Sequence, residues 1–247
     1  TRAHPAYRRR RQPQAYRAYP ADMTGSDFRG IPTDAVEFYR ELRADNTKVW
    51  WAANKQRYDG HVREPLTHLV DLLADEFGEA SLFRPYRDVR FSPDKTPYKD
   101  HQGALAMTDR GVGYYVQLSA DGLMTGGGFN AAGPDQTQRM RAAIDDDLVG
   151  GQLQRICDAL VEAGFVIDGE QLKTKPRGVS DDHPRLALMR HKSMIVLRRY
   201  GIPSWLDTPA VVDHVRQDWR TIRPLVEWLS THVGPTTVDR GPRPGRG

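Results

Sequence analysis

The chain has 247 residues, 38% of them hydrophobic and 28% charged, with a single cysteine and a formal net charge of +4. That size suits one generous domain or two small ones with an ordinary core. No apolar run approaches the roughly 18–20 residues of a membrane span, and the basic N-terminus lacks the apolar segment of a secretory signal. The expected location is therefore the cytoplasm, with no membrane partner. One cysteine, Cys157, cannot close an internal disulfide, and its helical spacing with Leu153, Ile156, Leu160 and Val161 makes it a small core residue.

The positive charge is unevenly placed. Residues 1–22 carry six Arg against one Asp and residues 235–247 three Arg against one Asp, so residues 23–234 hold a net −3. Both ends are rich in Pro, Gly and Arg with little to bury, and disorder is expected in 1–22 and 235–247 around one globular domain at 23–234. Nucleic-acid binding would then be weak, phosphate-directed and confined to these Arg-rich tails. Met23 stands just ahead of the first structured pattern, so residues 1–22 read as an upstream extension or as a remnant foreign to the native protein, with Met23 able to serve as a start.

In chain order, IPTDAVEFYREL is a predicted helix, with Asp34 and Glu37 spaced as a capping box and Val36, Phe38, Tyr39 and Leu42 on one face. A second helix is predicted from Asn46, carrying Trp50, Trp51, Asn54 and Tyr58. Pro65 begins or kinks a third, striped by Leu66, Leu69, Val70, Leu73 and Phe77. Four strand-like pieces follow, YRDVRF, GALAMT, GYYVQLS and GLMTGG, and SADG reads as the turn of a hairpin. Helical pattern returns at Pro134–Ile144 and Gln152–Ala163, and FVIDGEQLK reads as a short hairpin around Asp168 and Gly169. A brief helix near Pro184–Met189 precedes the strand SMIVLRRY. The last helix is expected to start at Thr208 as N-cap, with Val212, Val215, Trp219, Ile222, Val226 and Leu229 inward and Pro224 inside it. The strand links are too short for crossover helices. The predicted class is therefore α+β, a mainly antiparallel sheet packed with helices, with a helical N-terminal part and a long C-terminal helix.

The candidate site is FRPYRDVRFSPDKTPYK, residues 83–99. If Phe83–Phe91 is extended, alternation puts Phe83, Pro85, Arg87, Val89 and Phe91 on one side and Arg84, Tyr86, Asp88 and Arg90 on the other. Arg87 then sits on an apolar side and must find a carboxylate, backbone carbonyls or an anionic ligand. On the other side two arginines flank Asp88, and their planar donors suit carboxylate or phosphate. Pro93 and Pro97 rule out a central strand, so SPDKTPYK is read as a rigid loop presenting Asp94, Lys95, Tyr98 and Lys99. The alternative is an ion-paired loop that staples the sheet to the N-terminal helices.

FRGIP at 28–32, N-x-x-x-W-W-x-x-N-K-x-x-Y from Asn46 to Tyr58, residues 83–99, GYY at 113–115, GGG at 126–128 and LKTKPRGVSDDHP at 172–184 together resemble the domain-of-unknown-function 2461 family. The resemblance spans roughly residues 28–230 and is most specific at residues 83–99. Trp51 stands where the family commonly has Phe. What the resemblance implies is one intact domain, and it carries no catalytic assignment.

Other chemistry is weaker. The histidines have no strong metal-ligand spacing, and Pro65 breaks the face that His61 and His68 would share. TGGGF fits neither the dinucleotide fingerprint nor the P-loop, so it is a weak anion-cradle signal that leaves the cofactor unknown, and close sheet packing or a β-bulge is the preferred reading. Asp145–Asp147 reads as a solvated helix boundary. His183 and Lys192 form a second polar concentration. If they reach the 84–99 segment, Arg84, Arg87, Arg90, Lys95, Tyr98, Lys99 and Lys192 would bind an anionic small molecule. Asp88, Asp94 and His183 would then be the acid–base candidates, and Trp50 or Trp51 could floor the site. The favoured reading is binding of a phosphate- or carboxylate-bearing ligand. The alternatives are a phosphoester or phosphodiester hydrolase at the same place, or a nucleic-acid or protein interaction module whose ion pairs are only structural.

Overall fold

The computed structural model describes residues 28–90, 92–109, 111–129 and 133–236. The expectations for residues 1–22, for most of 235–247 and for Phe91 lie outside the described residues.

Helix α1 spans Asp34–Ala44, and its capping box does not form. Asp34 gives its carboxylate to Arg57, which donates from Nε at 2.7 Å and Nη2 at 2.6 Å. Two charged donors outcompete one neutral backbone N–H. Helix α2 spans Lys48–Arg57 and starts at Thr47, whose Oγ1 accepts the Trp50 N–H at 3.2 Å. It runs through a π-helical turn, Tyr58–Arg63, into α3, Glu64–Asp71. The wider turn lies directly ahead of Pro65, whose ring excludes the usual bond to the carbonyl of His61. A short α4, Ala74–Phe77, ends at Gly78 with φ 83°.

Six antiparallel strands follow: β1 Ala80–Leu82, β2 His101–Asp109, β3 Val112–Ser119, β4 Gly122–Phe129, β5 Val166–Asp168 and β6 Met194–Gly201. Their order is β1-β2-β3-β4-β6-β5. Both edge strands are only three residues long, which limits the unpaired backbone offered to other chains. Residues 86–90 of YRDVRF do not form a strand. Beyond β1 the pairing persists through Phe83 N–H to Gly103 O, 2.9 Å, and then only around a Tyr86–Tyr98 bridge, because Pro85 and Pro97 have no N–H to continue it. FVIDGEQLK is not a self-paired hairpin either. Its first half pairs with Ile195–Leu197, and the Glu170 N–H is taken by Ser193 Oγ at 2.8 Å.

Between and after the strands come α5 Pro134–Asp145, α6 Asp147–Glu162, α7 Leu186–Met189 and α8 Ala210–His232. Helix α6 starts ahead of the expected Gln152 because Asp146 caps it, accepting from the Leu148 and Val149 N–H groups at 2.9 and 2.8 Å. Thr208 does not cap α8: the cap position is Pro209, and Thr208 Oγ1 donates to Trp205 O at 2.9 Å.

One contiguous core joins the helices to the sheet. Tyr114 of β3 stacks on Trp219 of α8 at 5.5 Å, and Phe77 meets the same indole edge-on at 5.2 Å. The glycines of β4 are a packing device: a Cβ on Gly127 would lie 2.8 Å from Ile222 Cγ2. Thr125, on the same face, donates to the buried Asp218 of α8, which also accepts from Arg198 at 2.5 Å and from the Tyr200 hydroxyl at 2.9 Å. The opposite face alternates to Leu105, Met107, Tyr115 and Met124 and is part-exposed, Met107 reaching 57%. Cys157 is buried in the core, where burial pushes its thiol up to about 12.

Candidate functional site

The candidate segment, residues 83–90 and 92–99, folds back on itself as an irregular hairpin about the Tyr86–Tyr98 bridge, and Tyr98 roots it. Tyr98 is buried and stacks on Trp51 at 4.1 Å and 8°. Asn46 clamps its backbone, accepting the Tyr98 N–H at 3.1 Å and donating to Tyr98 O at 3.0 Å. Arg87 N–H to Pro97 O, 2.9 Å, and Lys99 N–H to Pro85 O, 2.8 Å, close the base. From Phe83 to Arg90 the side chains alternate between part-buried and exposed, the two sides expected from the sequence.

The tip is neutralised from within. Arg87 binds Asp94 and the Thr96 hydroxyl. Asp94 is held at about 2, first by the Thr96 N–H and then by Arg87. Arg90 grips Asp88 through Nε at 2.7 Å and through Nη2. Lys95 donates to Val89 O at 3.0 Å.

Two cations at the base differ. Arg84 is exposed and has no hydrogen-bond or ion-pair partner among the described residues. The half-buried Lys99 ammonium lies 5.0 Å over the Phe83 ring. Burial, and then the like charge of Arg84, pull Lys99 below the ordinary lysine range. Phe83 in turn meets Tyr115 at 6.0 Å, so Lys99 stands beside the part-exposed sheet face.

His183 and Lys192 are elsewhere. Lys192 precedes β6 at the end of the sheet where β2 finishes, whereas Lys99 precedes the start of β2, so the two occupy diagonal corners roughly 30 Å apart by strand spacing and rise. Lys192 pairs with Glu170 at 2.5 Å. His183 is bound into the α5–α6 junction, accepting the Arg185 N–H at Nδ1, 3.0 Å, and sitting 3.1 Å from Asp145 through Nε2. The chain direction of β6 separates Lys192 from the hairpin, and His183 finds its partners in Asp145 and Arg185 rather than in the hairpin. The acidic run there caps and pairs: Asp147 meets Arg185 at 2.9 Å.

A feature absent from the sequence reading is a groove of about 500 Å³ at the far end of β2, lined by Glu76, Phe77, Thr108, Tyr114, Arg223 and Ser230 among others. Glu76 is held at about 2, first by Arg220 and then by Arg223. The signal was present as Arg216, Arg220 and Arg223 at i, i+4 and i+7 of one helix, but Glu76 lies far off in sequence.

These features define an α+β protein whose most charged segment is a self-paired hairpin with two cations left over at its base. The family model of the conserved hypothetical protein DUF2461 matches residues 34–228, and the chain belongs to that family. A comparison with curated proteins gave no match.

Proposed function

We propose that the chain binds a phosphate- or carboxylate-bearing small molecule at the base of the hairpin, with Arg84 and Lys99 as its cationic groups. The observation that carries this reading is the contrast within one hairpin. Arg87, Arg90 and Lys95 each have an internal acceptor, while Arg84 and Lys99 have none among the described residues, and the charge of Arg84 is felt at Lys99. An anion arriving there would relieve the repulsion between the two cations and offset the desolvation of Lys99. The paired tip then acts as the scaffold that keeps them in place. Hydrolysis is less well supported, because Asp88 and Asp94 already accept from Arg90 and Arg87, and His183 is paired with Asp145.

A protein-interaction role is the second reading. Met107 and Val166 are 57% and 56% exposed and lie on the same face of the sheet, which favours it.

Thermal-shift titration with inorganic phosphate, sugar phosphates, dicarboxylates and nucleotides tests the first reading. One ligand class should raise the melting temperature of the natural chain and of Lys95→Ala, but not of Arg84→Ala or Lys99→Ala. A shift retained in both base variants would refute the site.

A further inference from the structure

We infer that the part-exposed face of the sheet is a docking surface for a second copy of this chain, related to the first by a twofold axis that crosses the strands. This rests on the protein-interaction reading above and is independent of the anion reading. The helices take the face that carries Ala104, Tyr114, Val116 and Thr125. On the other face the strand register lines the residues up in rows across the sheet. The middle row is Leu105, Tyr115, Gly126 and Leu197, continued by Val166 on β5. Gly103, Gln117, Met124 and Arg199 lie on one side of it. Met107, Gly113, Gly128 and Ile195 lie on the other, continued by Asp168 on β5. A sheet face that meets water ordinarily alternates to polar residues. Here the charges in the three rows are Arg199 and Asp168, and Met107 and Val166 are exposed.

The face is complementary to itself. Half a turn about the middle row exchanges the two rows beside it, as an isologous contact requires. Gln117 and Met124 then stand over the partner's Gly113 and the partner's Gly128, which have no side chain. Facing sheets about 10 Å apart interdigitate in this way, large residue over small. The place left by Gly103 is filled within the chain by the Tyr115 ring. Arg199 comes within one strand spacing, about 4.8 Å, of the partner's Asp168. Within the chain Arg199 has no partner among the described residues, and Asp168 accepts the Gly169 N–H at 2.7 Å but no side chain there. Outward positions lie about 4.8 Å apart across strands and about 6.7 Å apart along them, so the face covers roughly 600 Å² before side-chain relief. A standard interface takes about 800 Å² from each partner, so nearly the whole face is needed, and the twofold row uses all of it. The chain's own N-terminal stretch is a poor cover, since residues 1–22 contain no Val, Leu, Ile, Met or Phe.

The test is the oligomeric state of the full chain, followed by sedimentation velocity from about 1 to 100 μM. A dimer is expected. Val166 lies on the axis and faces itself, so Val166→Lys and Val166→Glu should each be monomeric at an unaltered melting temperature. An equimolar mixture of the two variants should recover the dimer, because unlike charges then meet. Asp168→Arg should weaken the dimer about tenfold, two equivalent contacts being lost, and Arg199→Asp in the same chain should restore it. A chain that stays monomeric over the whole range, or a dimer indifferent to both Val166 variants, would overturn the inference. An apolar-surface dye separates this failure from that of the reading beneath it. A monomer that binds the dye, and loses it in Val166→Glu, would overturn the second copy as occupant while the interaction reading stands. A monomer that binds the dye only after residues 1–22 are deleted would put the chain's own end on the face and overturn both.

Discussion

Arg87 shares the inner side of the hairpin with Phe83, Pro85 and Val89, and it meets the cost of partial burial by binding Asp94 and Thr96. Arg87→Ala should therefore lower the melting temperature more than Lys99→Ala, which removes only a ring contact; equal melting temperatures would contradict this arrangement. Asp34 gives a pH signature. Arg57, and to a smaller degree His61, lower its carboxyl from 3.8 to about 2, so these contacts contribute fully above about 3.8 and are lost as the pH falls towards 2. Asp34→Asn lacks that contribution from the outset, and its stability should fall less steeply between those two values in acid-unfolding curves. The need of Arg87 for a partner was legible in the alternation of its neighbours. That Asp94 would supply it was not, because the loop closing on it is irregular. The Asp34–Arg57 pair was hidden for a similar reason: Asp34 has the look of a cap, and nothing local marks an arginine on the next helix as its competitor.

At the level of elements, α8 holds the sheet through shape and through one buried charge. Gly127→Ala would put a methyl against Ile222 and the Gly113 carbonyl, and should cost about 1–3 kcal/mol in denaturant unfolding. Asp218→Ala would leave Arg198 without its carboxylate and Thr125 and Tyr200 without their acceptor, with an expected loss of about 3–5 kcal/mol. A change below about 1 kcal/mol would mean that the network is dispensable. The strands β2, β3, β4 and β6 and the helices α1, α5 and α8 were legible because each has enough residues to display a period. β1 and β5 are three residues long and have none to display. The π-helical turn before Pro65 was invisible for another reason, since a proline marks a disturbance but not its form. Asp218 was hidden beside Trp219 on a helix whose apolar stripe drew the attention.

Across the whole molecule the charge separates into a mildly acidic middle, −3 for residues 23–234, and a basic N-terminal stretch of +5 in residues 1–22. We expect any affinity of the full chain for DNA to fall steeply with salt and to vanish when residues 1–22 and 235–247 are both deleted, which filter binding would read directly. The candidate site was legible as a segment, residues 83–99, but not as a set of residues. Sequence showed which side chains are charged, and only the closed hairpin separated the paired cations from Arg84 and Lys99. The scarcity of lysine makes the decisive measurement practical. With the amines carrying isotope-labelled methyl groups, the full chain presents seven lysine resonances, one per lysine, to be followed by NMR as inorganic phosphate or a dicarboxylate is added. The account predicts that the Lys99 resonance titrates below the others in the free protein and shifts saturably with one of these anions, and that the anion response is lost in Arg84→Ala. A Lys99 resonance that titrates with the exposed lysines and does not move, or seven resonances that drift together, would contradict it.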